Sequence, residues 1–220
     1  MTSRVPLNVA VFASGGGSNF QALLDHRSSD PLWRIAVLVT NREAGAIDRA
    51  RGAGVPTELV PTKARPPEDV ARDTLSVMDR HEIGLILLCG YLRHLPDEVV
   101  DRYRRRILNI HPALLPDFGG KGMYGMNVHR AVVASGVDVT GATVHFVDEE
   151  YDEGAILGQW QVAVLPDDSP EDVAGRVLTV EHQLYPRAVD HVCAALVAGH
   201  NVEPMKEIRL QEPPPPEKEV

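Results

Sequence analysis

The sequence predicts an α/β fold, Rossmann-like and doubly wound, with a mostly parallel sheet and an antiparallel C-terminal part. Three observations predict it. Short β-like apolar runs alternate with helical patterns from Leu7 onward. The first run leads through a glycine cluster, Gly15-Gly16-Gly17, directly into a helical pattern. The last two strand-like runs are joined only by a short acidic turn, Asp148 to Gly154.

Leu7–Ala13 reads as the first strand and Asn19–His26 as the first helix. Ile35–Thr40 is a second strand, and a helix near Ala46–Ala53 ends at Gly54. Thr57–Val60 is a short third strand. Pro67–His81 reads as a helix, with proline at its start, where a missing N–H costs little. Leu85–Cys89 is a fully apolar fourth strand and Arg106–His111 a fifth, stopped by Pro112, which cannot donate to a ladder. Asn127–Ser135 is helical. Thr143–Val147 and Ala155–Val164 are strands, and a long helix opens at Ser169-Pro170-Glu171-Asp172 and runs to about Val197. Serine is a natural N-cap, proline suits the first helical position, and the acids complement the helix dipole.

A chain of 220 residues suits one full-sized domain, here expected over residues 1–200. Residues 201–220 form a tail, proline-rich and expected to be disordered from about 211. The net charge of −9 argues against nucleic acid as the main partner, because phosphate backbones are bound through positive surface. No apolar run approaches a membrane span. Arg4 followed by Leu7–Ala13 faintly resembles a signal peptide, but Asn8 interrupts the short apolar run, so a cytoplasmic protein is expected. Cys89 and Cys193 lie far apart in apolar stretches and read as reduced core residues, with no paired-cysteine metal spacing.

The most informative stretch is Asn109-Ile110-His111-Pro112. Side chains at i and i+2 of a strand share a face. Asn109 and His111 are therefore expected to project together from a strand's carboxyl end, where open α/β sheets place their ligands. A hydrogen-bond donor beside a titratable ring suits chemistry on a carbonyl.

Ser14-Gly15-Gly16-Gly17-Ser18-Asn19 falls between the first strand and the first helix. Glycine allows close backbone approach, and the helix start supplies N–H groups for an anion, of which a phosphate is the natural guest. The bland alternative is a tight turn with no ligand. Phe20 spoils a dinucleotide fingerprint, and no Gly-Lys-Ser/Thr follows for a P-loop, so a monophosphate is favoured over a nucleotide. In a strand order 3-2-1-4-5 this loop would face the one after strand four, Gly90 to Leu95, with Asn109 and His111 opening onto the crevice between them.

The acidic turn holds five acids in seven residues, and most such runs are solvated. One acid is wanted beside His111, to raise its pKa enough for it to act as a general acid or to stabilise an oxyanion. Spacing does not rank Asp152 above Asp148 or Glu150; the flexible Glu153-Gly154 that follows favours Asp152. His145, mid-strand among apolar residues, reads as a core histidine. No metal is expected, because no H-x-H or H-E-x-x-H spacing appears.

Ala13 to Asn19, Cys89-Gly90-Tyr91-Leu92-Arg93, Leu108 to Pro112 with Leu114-Leu115-Pro116, and His145-Phe146-Val147 through Asp152-Glu153-Gly154 occur in that order. Together, over about residues 7 to 198, they resemble the phosphoribosylglycinamide formyltransferases, folate-dependent enzymes of purine synthesis. The resemblance implies formyl transfer from 10-formyltetrahydrofolate, as co-substrate, to the amine of glycinamide ribonucleotide. It implies Asn109, His111 and Asp152 as catalytic residues. It implies Gly16, Gly17, Ser18 and Asn19 at the phosphate, and Glu181 at the glycinamide substrate. Leu92, Arg93, His94, Leu95, Asn109, Asp148 and Asp152 would line the folate site. The family often carries an arginine near residues 64–68 for the folate tail; here Lys63 or Arg65 stands in, and Arg65 is the expected contact. The segment Gly119 to Gly125 is longer than in some members and is expected to be a mobile flap.

Among other formyl-folate enzymes, a tRNA formyltransferase would add a basic RNA-binding domain, and a formyltetrahydrofolate hydrolase an N-terminal regulatory domain. Sugar-nucleotide formyltransferases would have less reason for the Gly-Gly-Gly-Ser-Asn loop. A non-catalytic ligand-binding module is the alternative from another class. The partners expected are the two small-molecule substrates, with neither nucleic acid nor membrane; a homodimer is compatible with the chain.

Overall fold

Leu7–Ala13 form β1, the strand on which the sheet is built. From Val9 to Ala13 every side chain is buried, as befits a parallel strand covered on both faces. In the computed structural model, which describes residues 5–26 and 31–205 and the backbone alone of 208–211, the remaining elements follow in order. They are α1 (Ser18–Asp25), β2 (Trp33–Thr40), α2 (Ala46–Ala53), β3 (Thr57–Leu59), α3 (Pro67–Arg80) and β4 (Leu85–Leu88). Then come α4 (Asp97–Arg102), β5 (Ile107–His111), α5 (Met126–Ser135), β6 (Val139–Phe146), β7 (Ile156–Ala163), α6 (Pro170–Ala198) and β8 (Ile208–Gln211).

All eight strands form one sheet in the order β3-β2-β1-β4-β5-β6-β7-β8. Strands β3 to β5 run parallel, and the expected 3-2-1-4-5 order is present. β6 pairs antiparallel with β7, as their short acidic connection suggests, and also with β5. Two elements were absent from the sequence expectations: the six-residue α4, and β8, which lies parallel to β7 inside the segment read as tail. The disorder expected beyond Gln211 lies outside the described residues.

Alternation along β1 divides the core into two layers. Val9, Val11 and Ala13 pack with Phe20 of α1, Ala50 of α2, Val128 of α5 and Val177 of α6. Ala10 and Phe12 pack on the other face with Val77 of α3 and Val99 of α4. α6 opens at the N-cap Ser169 read from the sequence, and the structure adds a capping box: Ser169 and Asp172 each satisfy the other's backbone N–H.

One α6 side chain ties the sheet together at the place that matters for function. The Tyr185 hydroxyl, fully buried, is shared between the carbonyls of Leu88 (3.1 Å), the last residue of β4, and Leu108 (3.0 Å) of the neighbouring β5. Tyr185→Phe is expected to lower stability by about 1 kcal/mol, read as a shift in the urea midpoint. An unchanged midpoint would mean that the two strands do not need the clamp.

Candidate active site

Along β5, Leu108 and Ile110 enter the α6-side core and Ile107 enters the other. Asn109 and His111 therefore share the face of Ile107, as i, i+2 spacing requires. Opposite them on β6, the ladder pairs Asn109 with His145 and His111 with Thr143. His111 and His145 are both almost completely buried.

Asp152 reaches this row from the β6–β7 turn. Its carboxylate lies between two imidazoles: Oδ2 is 3.5 Å from His111 Nδ1, and Oδ1 is 3.5 Å from His145 Nε2. The Gly120 N–H donates to Oδ2 at 2.9 Å, and His111 Nε2–H donates to the Phe118 carbonyl at 2.8 Å. One short loop thus holds both members of the pair. The backbone at Asp152 is left-handed, φ 59°, a conformation aspartate adopts more readily than most residues. Gly119, between the two loop contacts, is closely packed: a Cβ there would lie 2.6 Å from Leu115 Cδ2 and 3.3 Å from Asp152 Cβ, so both neighbours would have to shift.

The electrostatics correct one expectation. Asp152 and the Phe118 carbonyl do favour the charged form of His111, but burial outweighs them and His145 opposes them. The ring therefore titrates below the ordinary histidine range. His111 is a neutral imidazole at rest, not the standing cation foreseen from the sequence. Burial pushes the Asp152 carboxyl up, yet the rings of His145 and His111 and the Gly120 N–H together hold it below the usual carboxylate range. Asp152 is ionised.

A cavity of about 390 Å³ opens beside this cluster. Its walls include Asn109, His111, His145 and Asp152; Leu92, Arg93, His94 and Leu95 after β4; the loop 120–125; Asp148 and Tyr151; and His129 of α5. Asn19 and Glu181 also line it. Asn19 Nδ2–H donates to Glu181 Oε2 at 2.8 Å, and burial pushes the Glu181 carboxyl up to about 7 despite that hydrogen bond. The Oδ1 of Asn19 is buried with no hydrogen-bond partner, so the site holds an acceptor ready for a ligand donor.

Of the residues singled out in the sequence, Asn109, His111, Asp152, Asn19, Glu181, Asp148 and Leu92 to Leu95 meet at this one cavity. Gly16, Gly17 and Ser18 lie just before Asn19, outside the lining. Gly17 takes a left-handed turn, φ 72°, as the cap residue of α1, which has no side-chain cap, so its first-turn N–H groups lack intrahelical partners. The carbonyls of Gly15 and Gly16 are occupied by the Ala46 N–H (3.1 Å) and Arg49 Nε–H (2.7 Å). Arg65 is not among the lining residues; its guanidinium pairs with Asp73 at 2.7 Å and bonds the Pro61 carbonyl.

Sequence reasoning set His145 aside as a core histidine. It is buried as expected, but it also touches Asn109 and Asp152. Its signal is the β5–β6 register, which no local pattern carries. His129 went unnoticed as well, being one polar residue on an otherwise ordinary helix. Among the described residues, no group of three or more His, Cys, Asp or Glu side chains is arranged to hold a metal ion. No helix among them is long and apolar enough to cross a membrane.

Known proteins bear on this geometry. Residues 7–189 match the formyl transferase family model. The chain is 46% identical over 188 residues to a chloroplastic phosphoribosylglycinamide formyltransferase of Vigna unguiculata, covering 84% of this chain and 60% of that relative's length. It is 32% identical to the phosphoribosylglycinamide formyltransferase of Escherichia coli K12, covering 90% of this chain and 97% of that one. The crystal structure of phosphoribosylglycinamide formyltransferase from Anaplasma phagocytophilum superposes with a TM-score of 0.82 at 32% identity, over 95% of this chain and all of that one. The chain belongs to the formyl transferase family, in the group formed by the phosphoribosylglycinamide formyltransferases.

Proposed function

We propose that this chain transfers the formyl group of 10-formyltetrahydrofolate to the amine of glycinamide ribonucleotide. The observation that carries the reading is a single cavity lined both by Asn109, His111 and Asp152 and by Asn19 and Glu181. The first group suits a reacting carbonyl and the second an amine-bearing substrate. The uncapped start of α1, with its glycine loop, offers N–H groups for the ribonucleotide phosphate. Leu92 to Leu95 and Asp148 would flank the folate.

In this mechanism the amine nitrogen attacks the formyl carbon, a C–N bond forms, and the carbonyl electron pair moves onto oxygen. An Asn109 N–H stabilises that oxygen. His111, neutral at rest, takes the proton that the attacking nitrogen sheds. The imidazolium so formed faces Asp152, strengthens the hold on the oxyanion, and returns the proton to folate N10 as the N10–C bond breaks. No metal enters the scheme. Small molecules are the proposed partners, with neither nucleic acid nor membrane, and the cytoplasm is the proposed compartment.

The test is direct. The protein is mixed with 10-formyltetrahydrofolate and glycinamide ribonucleotide, and formyl-glycinamide ribonucleotide and tetrahydrofolate are followed by mass spectrometry. Equal amounts of the two products are expected. Formate in place of the formylated ribonucleotide would make the protein a hydrolase, and no turnover alongside tight folate binding would make it a binding module.

A further inference from the structure

His145 performs no step in the mechanism above, yet three features of the fold converge on it. It stands directly opposite Asn109 in the β5–β6 ladder. The β6–β7 pairing slips next to it: Val144 pairs with Gly158 and His145 with Ile156, so Leu157 is passed over. Irregularities of this kind re-aim a side chain beside a functional site. Finally, the turn behind it is built around glycine. A Cβ on Gly154 would lie 1.8 Å from the Phe146 carbonyl oxygen, the same oxygen that anchors the His145 ring.

Hydrogen-bond logic then fixes the ring. The Phe146 carbonyl can only accept, and His145 Nδ1 lies 2.8 Å from it, so Nδ1 carries a hydrogen. In a neutral imidazole the other nitrogen is then a bare acceptor. Asn109 Nδ2 lies 3.0 Å from that Nε2 and donates to it. Turning the carboxamide over would set its oxygen against the nitrogen lone pair, two acceptors with no hydrogen between them. A second hydrogen, on Nε2, would point toward Asp152 Oδ1, 3.5 Å away, and turn the Asn109 oxygen to the ring, so the two arrangements differ by that one proton.

We propose that His145 is a positioning residue for formyl transfer, whose bare Nε2 holds the Asn109 carboxamide in one orientation. One Asn109 N–H is committed to the ring. The second N–H and the carbonyl oxygen are left for the two reactants: a donor for the formyl oxygen and an acceptor for a hydrogen of the attacking amine. In the opposite orientation the ring would consume the oxygen, leaving two donors and nothing to direct the amine. The proposal rests on the functional reading above.

Two measurements test it. In protein with 15N-labelled imidazoles, the nitrogen shifts of His145 at neutral pH are expected to show a protonated Nδ1 and an unprotonated Nε2. A ring protonated at Nε2 overturns the proposal, and this measurement needs no variant. In kinetics, His145→Leu is expected to lower kcat roughly tenfold or more, short of the ~10²–10³ lost with an oxyanion donor itself, with KM for both substrates little changed. His145→Gln, which returns an acceptor near the Nε2 position, is expected to recover most of the loss. Equal kcat in the Leu variant and wild type, or equal losses in the Leu and Gln variants, overturns the proposal. If the wild type transfers no formyl group, the functional reading fails, and the nitrogen shifts still decide how His145 and Asn109 are paired.

Discussion

Replacing His111 by alanine is expected to lower kcat by ~10²–10⁴, the usual worth of a positioned acid–base group, while KM for each substrate moves little. The ring is nearly enclosed, and its Nε2–H is committed to the Phe118 carbonyl. Nδ1, the nitrogen that faces Asp152, is therefore bare at rest and is where the ring takes up a proton. Because burial holds the ring below the ordinary histidine range, the base stays available as pH falls. The acid limb of kcat/KM is expected to lie lower than the pH at which a free histidine titrates. Asp152 opposes the effect of burial, so Asp152→Asn is expected to displace that limb to still lower pH while depressing the plateau. A pH profile of both proteins between about 5 and 8 checks the sign. A limb that moves upward in Asp152→Asn would mean that another group titrates there.

Glu181→Gln carries the largest expected effect on stability, and its sign depends on pH. The folded carboxyl titrates near 7 and the unfolded one near its ordinary 4.5. Between those values the folded chain holds a proton that the unfolded chain has lost. The stabilisation from this group is thus complete below about pH 4.5 and disappears as pH rises through 7. At about 1.4 kcal/mol per pH unit, the window amounts to about 3 kcal/mol, as an order of magnitude for a buried group. The glutamine variant has nothing to titrate. Urea unfolding at a series of pH values is expected to find the two proteins close at pH 5 and the variant the more stable at pH 8, with weaker binding of glycinamide ribonucleotide throughout. A difference independent of pH would refute the assignment. On the proposed function, a carboxylate that weakens the fold here is kept for the amine of the substrate, a common exchange of stability for function.

Most of the sheet was legible because its signals are local. Leu85–Leu88 is a continuous apolar run and Leu7–Ala13 one broken only at Asn8, Ser169 is a natural N-cap, and Gly17 stands where the chain turns left-handed. α4 escaped because six residues, with Val99 and Val100 its buried pair, are too few to display a helical period. β8 escaped because four residues in a charged, proline-rich stretch resemble a tail, and only the edge of β7 gives them a role. In the site, Asn109 and His111 were legible through their two-residue spacing. The pairing of His145 was not, since its partner Asn109 lies 36 residues away across a strand register. The protonation of His111 was hidden for a similar reason: it depends on how deeply the loop around Phe118 buries the ring, which a count of neighbouring charges does not reveal.

The hydrogen bond between Asn19 and Glu181 spans 162 residues of chain, and that span has a consequence for how the enzyme comes into being. β1 lies in the interior of the sheet and waits for β4, made some seventy residues later, before its second edge is covered. The cavity wall waits longer still, until α6 has left the ribosome. Contacts of such separation are slow to form, because loop entropy must be surrendered before they return anything. A nascent chain halted between β5 and α6 carries the Asn-x-His pair and the glycine loop but lacks Glu181, and is expected not to perform the proposed transfer. If the proposed activity is right, its recovery after dilution from denaturant is expected to follow the docking of α6 rather than the pairing of β1 with β2.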